Sequence, residues 1–220
     1  MRRSAAICAL LAAFAAGASA QELQPHNDFQ SWNDIQVTAP LTKPLDLWFS
    51  ITGRFGKNAT RLNDGRLALG FIWKTNKALS IQPFYWLIYM RNSRAVFQVE
   101  HRLNLRITYK LPVKKFGVSV RNTFERRIKQ PAGSWRWRPS ITFEKELPAT
   151  LMKGLKFYAT EEIFYDSLQH RFSRNRATVG FTKTLNKQWA VDLYYMRQND
   201  GVSLPGNLNV IGTSWKVRLK

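Results

Sequence analysis

Between residues 45 and 55, Leu45, Leu47, Phe49, Ile51 and Phe55 fall on one face while Asp46, Ser50, Thr52 and Arg54 fall on the other. A repeat of two residues belongs to an extended strand whose two faces meet different surroundings. It returns at 65–75, where Leu67, Leu69, Phe71 and Trp73 oppose Arg66, Ala68 and Gly70. At 95–109, Phe97, Val99, Leu103, Leu105, Ile107 and Tyr109 oppose Gln98, Glu100, Arg102, Asn104, Arg106 and Thr108, in a segment too long for the usual strand of a small soluble domain. Segments 28–39, 78–90, 116–128, 135–144, 155–165, 174–185, 189–198 and 208–219 carry related patterns, which makes eleven candidates. Past residue 20 the longest apolar run is about 84–90, too short for a membrane helix.

The placement of charge decides the class. A soluble sandwich turns its polar faces to water and its apolar faces to a shared core. Here nearly every segment pairs a face of Leu, Ile, Val, Phe and Trp with one dense in Arg, Glu, Thr, Ser and Asn. One closed sheet with lipid outside and a polar lumen accounts for both. The expected fold is therefore all-β, an antiparallel up-and-down transmembrane β-barrel occupying residues 21–220 as a single domain. Bacterial single-chain barrels have even strand numbers, so 10 or 12 strands are expected. The connections suggest alternating ends, with tight turns at Asn76-Lys77, 111–115 and Asn186-Lys187 against longer polar stretches at 56–64, 129–134, 167–173 and 199–207, although 145–154 is long where a short turn is expected. Trp73, Tyr109, Trp135, Tyr165, Trp189 and Trp215 at segment ends suit interfacial girdles. Pro83 and Pro139 inside segments each call for a bulge or a nearby strand end. Glu161 shares the apolar register of Leu155, Phe157 and Ala159, implying a bulge or a position above the lipid boundary.

Residues 1–20 read as a secretory signal peptide: basic Met1-Arg2-Arg3, an apolar core from Ile7 to Ala16, and Ala18-Ser19-Ala20 as the cleavage signature. Export to the outer membrane after cleavage behind Ala20 is expected. Removal takes the only cysteine, Cys8, and leaves 32 basic against 14 acidic residues, a charge of +18. A disulfide or thiolate chemistry is thereby excluded. Near the chain's end Trp215, Val217 and Leu219 alternate with Lys216 and Arg218, resembling the signal read by the barrel assembly machinery, although the chain ends on Lys220 and not on an aromatic residue. Expected partners are outer-membrane lipid, lipopolysaccharide and that machinery. The basic charge is spread over nearly every segment and not gathered in one patch, which argues against nucleic acid.

The polar faces hold thirteen basic residues: Arg54, Arg66, Arg102, Arg106, Arg121, Arg127, Arg136, Arg138, Lys156, Arg174, Arg176, Lys216 and Arg218. Six acids oppose them: Asp46, Glu100, Glu125, Glu144, Glu162 and Asp192. Interlocking ion pairs would fill a narrow lumen, and the basic surplus favours anions. No metal-ligand spacing, phosphate loop or dinucleotide fingerprint is present, so no cofactor or metal is expected. The enzymatic alternative is a lipid-modifying hydrolase built on His101, which its register sets among Val99, Leu103 and Leu105 on the lipid side without a triad signature. A third reading is a soluble periplasmic barrel that binds an acidic ligand.

Several pieces resemble one bacterial family: Glu100-His101-Arg102, Glu125-Arg126-Arg127, Arg136-Trp137-Arg138, Glu161-Glu162-Ile163-Phe164-Tyr165-Asp166, Asn175-Arg176, Gly180, and Asp192 with Tyr194-Tyr195-Met196. The chain resembles domain of unknown function 2490 over about residues 30–219, most specifically in the Glu-Glu-Ile-Phe-Tyr-Asp stretch followed by Asn175-Arg176. The resemblance implies an outer-membrane barrel with a leader and no assigned activity. It marks Glu100, Arg102, Glu125, Arg127, Arg136, Arg138, Glu161, Glu162, Tyr165, Asp166, Asn175, Arg176 and Asp192 as candidate lumen residues, with Glu162 and Arg176 pairing on adjacent strands. The expected role is non-enzymatic, with a basic, side-chain-filled lumen that admits small anions.

Overall fold

The computed structural model describes residues 26–92 and 96–220; the expected leader, with Cys8 and its cleavage site after Ala20, lies outside the described residues. Eleven strands of 12 to 15 residues follow one another: β1 (Asn27–Pro40), β2 (Leu45–Gly56), β3 (Arg61–Lys74), β4 (Leu79–Arg91), β5 (Phe97–Leu111), β6 (Gly117–Ile128), β7 (Ser134–Glu146), β8 (Leu155–Asp166), β9 (Arg171–Thr184), β10 (Trp189–Asp200) and β11 (Asn207–Arg218). A single helical turn, α1 (Ala149–Met152), interrupts the β7–β8 connection. Each strand pairs antiparallel with its sequence neighbour, and β1 pairs with β11 to close the barrel.

The expected count of 10 or 12 is corrected to eleven among the described residues, and the fully antiparallel order fails at one seam. The reason is parity. In an up-and-down barrel an odd number of strands leaves the first and last running the same way, so closure must be parallel. It is so here over twelve residue pairs, from Asn27↔Asn207 to Thr38↔Arg218.

The expected contrast between short turns and long loops also fails. The connections 57–60, 92–96, 129–133, 167–170 and 201–206, which with the start of β1 form the upper rim, span four to six residues. Those of the lower rim, 41–44, 75–78, 112–116, 147–154 and 185–188, span four to eight. Polar stretches such as Arg61–Asp64 and Arg171–Ser173 continue their strands as paired ladder. The two Asn-Lys turns share one mechanism: the Asn76 side-chain oxygen accepts from the Ala78 and Leu79 N–H groups, and that of Asn186 from Gln188 and Trp189. Each replaces a turn carbonyl by a local Asx bond.

Neither proline forces a bulge or a strand end. The β3–β4 ladder holds Gly70↔Phe84 and Trp73↔Ile81 in one register and omits the two pairs between them, where Pro83 sits. The β7–β8 ladder does the same around Pro139, between Trp137↔Tyr165 and Ser140↔Glu162. A missing N–H thus locally interrupts one ladder and leaves the register intact.

The outer face from β2 to β7 is mostly apolar, with Trp135 58% and Leu103 55% exposed. All six girdle aromatics lie on outward positions. Inside, two apolar clusters occupy part of the lumen: Trp48, Ala68 and Phe84, and Trp32, Met196, Leu208 and Val210. Gly212 makes room for Tyr194, since a β-carbon there would lie 2.1 Å from the tyrosine Cζ.

Candidate functional site

Alternation along β5 to β9 sends Glu100, Arg102, Arg121, Glu125, Arg127, Arg136, Arg138, Glu162, Asp166 and Arg176 into the lumen, where they form one connected lattice. Arg136 donates to Asp166 at 2.6 and 3.1 Å, and Arg127 Nη1 reaches the same carboxylate at 3.4 Å. Arg127 grips Glu100 with two bonds of 2.6 and 3.0 Å, and Arg102 Nε adds a third at 2.7 Å. Arg102 Nη1 stands 3.8 Å from Glu125, which also accepts from Arg138. Arg138 Nη2 then donates to both Glu162 oxygens at 2.9 Å. Planar guanidinium groups suit such a relay because each can bridge two carboxylates.

The anticipated partners Glu162 and Arg176 are opposite one another on β8 and β9, yet their charged atoms are 3.9 Å apart and Arg138 makes the closer bonds. Arg176 Nε donates instead to Gln198 at 2.9 Å. Asp192 also points inward but stands apart from the lattice, paired with Lys216 at 2.6 Å.

Three of the candidate lumen residues are not in the lumen. Glu161, Tyr165 and Asn175 occupy outward positions, because they neighbour the inward Glu162, Phe164, Asp166 and Arg176 and adjacent strand residues point to opposite faces. The irregularity in β8 falls between Phe164 and Tyr165, so no bulge turns Glu161 inward.

The acid count rises as well. Asp28, Asp34, Asp64 and Asp200 join the inward acids read from the sequence, Asp166 among them, narrowing the basic surplus. Asp64 binds Arg66 at 2.7 Å and Asp200 binds Arg174 at 2.7 Å. Asp34 is held by neutral donors, Ser50 and Thr52 at 2.7 Å each, Gln36 at 2.6 Å and Ser214 at 3.0 Å.

The basic surplus is concentrated in a cavity of about 360 Å³ at the upper rim, bounded by eleven arginines and lysines against three aspartates. Two aromatic rings organise it. Phe164, 1% exposed, has the guanidinium carbons of Arg138, Arg176, Arg174 and Arg136 at 4.6, 4.7, 5.4 and 5.8 Å from its ring centre. Trp32 lies against Arg54 at 3.5 Å and Arg176 at 5.0 Å. Arg54 keeps its nearest carboxylate at 3.8 Å, and among the described residues its Nε has no hydrogen-bond partner. At the rim, burial and the charge of Arg127 hold the Lys129 amine below the usual lysine range. The sequence reading did not single out Phe164 or Trp32 as lumen residues. The available signal was register, since Phe164 stands two residues from both Glu162 and Asp166.

His101 is outward as expected, and its ring nitrogen Nδ1 shares a hydrogen bond with the Tyr85 hydroxyl of β4. Among the described residues no serine or carboxylate bonds to it, so these residues do not form a hydrolytic triad around it.

Comparison with solved structures bears on the fold alone, a closed β-barrel. The NanC porin is similar with a TM-score of 0.54 at 9% identity, covering 87% of this chain and 99% of that one. The KdgM porin is similar at TM-score 0.48 and 13% identity, over 78% of this chain and 90% of that one. The anion-selective porin from Comamonas acidovorans gives 0.39 and 9%, over 80% and 54%. No curated protein matches the sequence significantly. The model of the family described as "Protein of unknown function (DUF2490)" matches residues 29–207, and the chain belongs to that family.

Proposed function

We propose that this protein is a non-enzymatic outer-membrane barrel whose upper-rim vestibule collects small anions and passes them toward the lumen. The observation that carries the reading is the vestibule itself, about 360 Å³ bounded by eleven basic side chains and three aspartates. Such an excess lowers the energy of an anion and raises that of a cation near the constriction. Five of the eleven, Arg102, Arg127, Arg136, Arg138 and Arg176, belong to the lattice, whose six arginines face four carboxylates, so the lattice itself holds part of the positive excess. Membrane placement is supported by the apolar wall: a soluble periplasmic barrel would leave Trp135, Leu103, Leu69 and many further large apolar side chains in water. The same reading takes residues 1–20 as a leader removed after Ala20, with lipid, lipopolysaccharide and the barrel assembly machinery as partners.

Planar-bilayer recording under a salt gradient tests the proposal. The expected result is a reversal potential favouring chloride over potassium, reduced when Arg54 and Arg61 are both replaced by Gln. Absence of conductance, or cation preference, would overturn it. The hydrolase reading has no observation in its favour beyond the position of His101.

A further inference from the structure

The outer wall carries a hydrogen-bonded polar chain from β8 to β11, and a separate polar pair across the β11–β1 seam, that the lumen chemistry does not use. Glu161 accepts from the Asn175 amide at 3.1 Å, Asn175 accepts from Asn199 at 3.2 Å, and Asn199 accepts from Arg197 Nε at 3.1 Å. Arg197 Nη1 then donates to Asn209 at 3.1 Å, which also accepts from the Tyr195 hydroxyl at 2.7 Å. Beyond it, Thr213 donates to Asn33 at 2.8 Å across the parallel seam. Glu161, Thr213 and Asn33 are each the seventh residue of strands of 12, 12 and 14 residues, so the track reaches mid-strand and is not confined to a rim.

Lipid is a poor neighbour for such a surface. Two of its members carry opposite formal charges, and among the described residues each has only uncharged partners: Glu161 has one amide donor, and Arg197 has two amide oxygens. A desolvated charge is stabilised by an opposite charge far more than by neutral groups. The two lie on β8 and β10, with β9 between them. A two-fold axis along the membrane normal through β9 sets β8 of one barrel against β10 of the next, so that Glu161 meets the partner's Arg197 and Arg197 meets the partner's Glu161. This is the reciprocal pairing an isologous interface requires. Counted from the lower rim, Glu161 is the seventh residue of β8 and Arg197 the ninth of β10, a height difference of about 5 Å on tilted strands that an arginine side chain spans. Ala159 and Ala177, both outward, keep the centre of the face low, and a recess of about 370 Å³ opens above them beside Ile163, Phe172, Asn175 and Asn199.

We infer that the face formed by β8, β9 and β10 is the contact surface between two copies of this chain in the membrane, locked by reciprocal Glu161–Arg197 pairs. The inference rests on the membrane reading above, and its test separates the two.

The full chain is expressed with Ala177→Cys, which places one thiol near the axis of the exported protein, and treated in intact cells with a short thiol cross-linker. A cross-linked dimer is expected, with little from a Leu69→Cys control on the opposite wall. In the Ala177→Cys background, Glu161→Arg alone and Arg197→Glu alone should each lower dimer yield by about tenfold, and the double exchange should restore it. Heat-dependent mobility of each variant establishes that the barrel has formed. Equal cross-linking through Leu69→Cys, or a double exchange no better than the singles when all form barrels, would overturn the interface. Fractionation of the same cells reads the membrane placement by itself. Protein recovered without detergent that still cross-links through Ala177→Cys keeps the interface and removes the membrane reading, and membrane-bound protein that does not cross-link does the reverse.

Discussion

From β2 to β7 the barrel wall is mostly apolar outside and charged inside, whereas from β8 round to β1 polar groups stand on both sides. On the first wall the outward positions of β5 run Phe97, Val99, His101, Leu103, Leu105, Ile107, Tyr109 and Leu111. On the second, those of β11 run Asn207, Asn209, Ile211, Thr213, Trp215 and Val217. The interiors differ too. Arginine–carboxylate bonds tie β5 through β8 together, while β1, β2 and β11 meet around Asp34 through hydroxyls and an amide. The period of two thus builds the barrel everywhere, but only one wall has the apolar exterior that lipid alone would select.

The contrast breaks most readily through the lattice. Glu125 is fully buried and serves Arg138 and Arg102. Glu125→Ala leaves both cations undercompensated, and a loss of about 3–5 kcal/mol is expected from a broken buried pair. Urea titration of the barrel in lipid vesicles reads it. A loss no larger than that of Asp34→Asn would show that the two interiors are energetically alike.

The outer walls are compared by placing the same charge on each. Leu103→Arg, at the seventh residue of β5, should cost about 2–4 kcal/mol, the usual effect of arginine near the bilayer midplane. Thr213→Arg, at the seventh residue of β11, should cost less, about 2 kcal/mol, because Asn33 beside it offers a polar partner although Leu193, Ile211 and Trp215 also flank it. Equal costs would place the track in lipid and dissolve the distinction.

The seam-side interior depends on fit. Gly212→Val drives a side chain into the Tyr194 ring, 2.1 Å from where the first added carbon would stand, and overpacking of this kind costs about 1–3 kcal/mol. Tyr194→Ala in the same chain should recover part of the loss, and failure to do so would point to a backbone role for the glycine.

Much of this architecture was legible because alternation reports facing directly. All eleven periodic segments are strands, and His101 and Glu161 lie on the side their registers indicated. Parity was overruled by a general rule about even strand numbers, although the segments themselves numbered eleven. Glu161, Tyr165 and Asn175 enter the lumen set only as members of the family-like stretches, when their place next to inward residues puts them on the opposite face. What alternation leaves open is stagger. Whether Arg138 or Arg176 takes Glu162 depends on side-chain reach among three strands, and nothing in a single strand's pattern encodes it. Likewise, the neutral cage of Asp34 draws on β1, β2 and β11, which only barrel closure brings together.

His101 offers the finest comparison, since it is a polar residue on the apolar wall bonded, among the described residues, only to Tyr85, while the polar residues of the other wall form a chain. An exposed pair of this kind contributes about 1 kcal/mol or less. His101→Phe keeps the ring's bulk and removes the bond, leaving the Tyr85 hydroxyl free to turn toward headgroups. The expected shift in the urea midpoint is close to zero, and phospholipid hydrolysis by purified protein should be the same for both forms. A larger loss would mean that the pair sits in hydrocarbon, where an unmatched hydroxyl is costly. That outcome would lower the position of the bilayer on this wall and bring the track opposite deeper into lipid, which strengthens the case that the track is covered by protein.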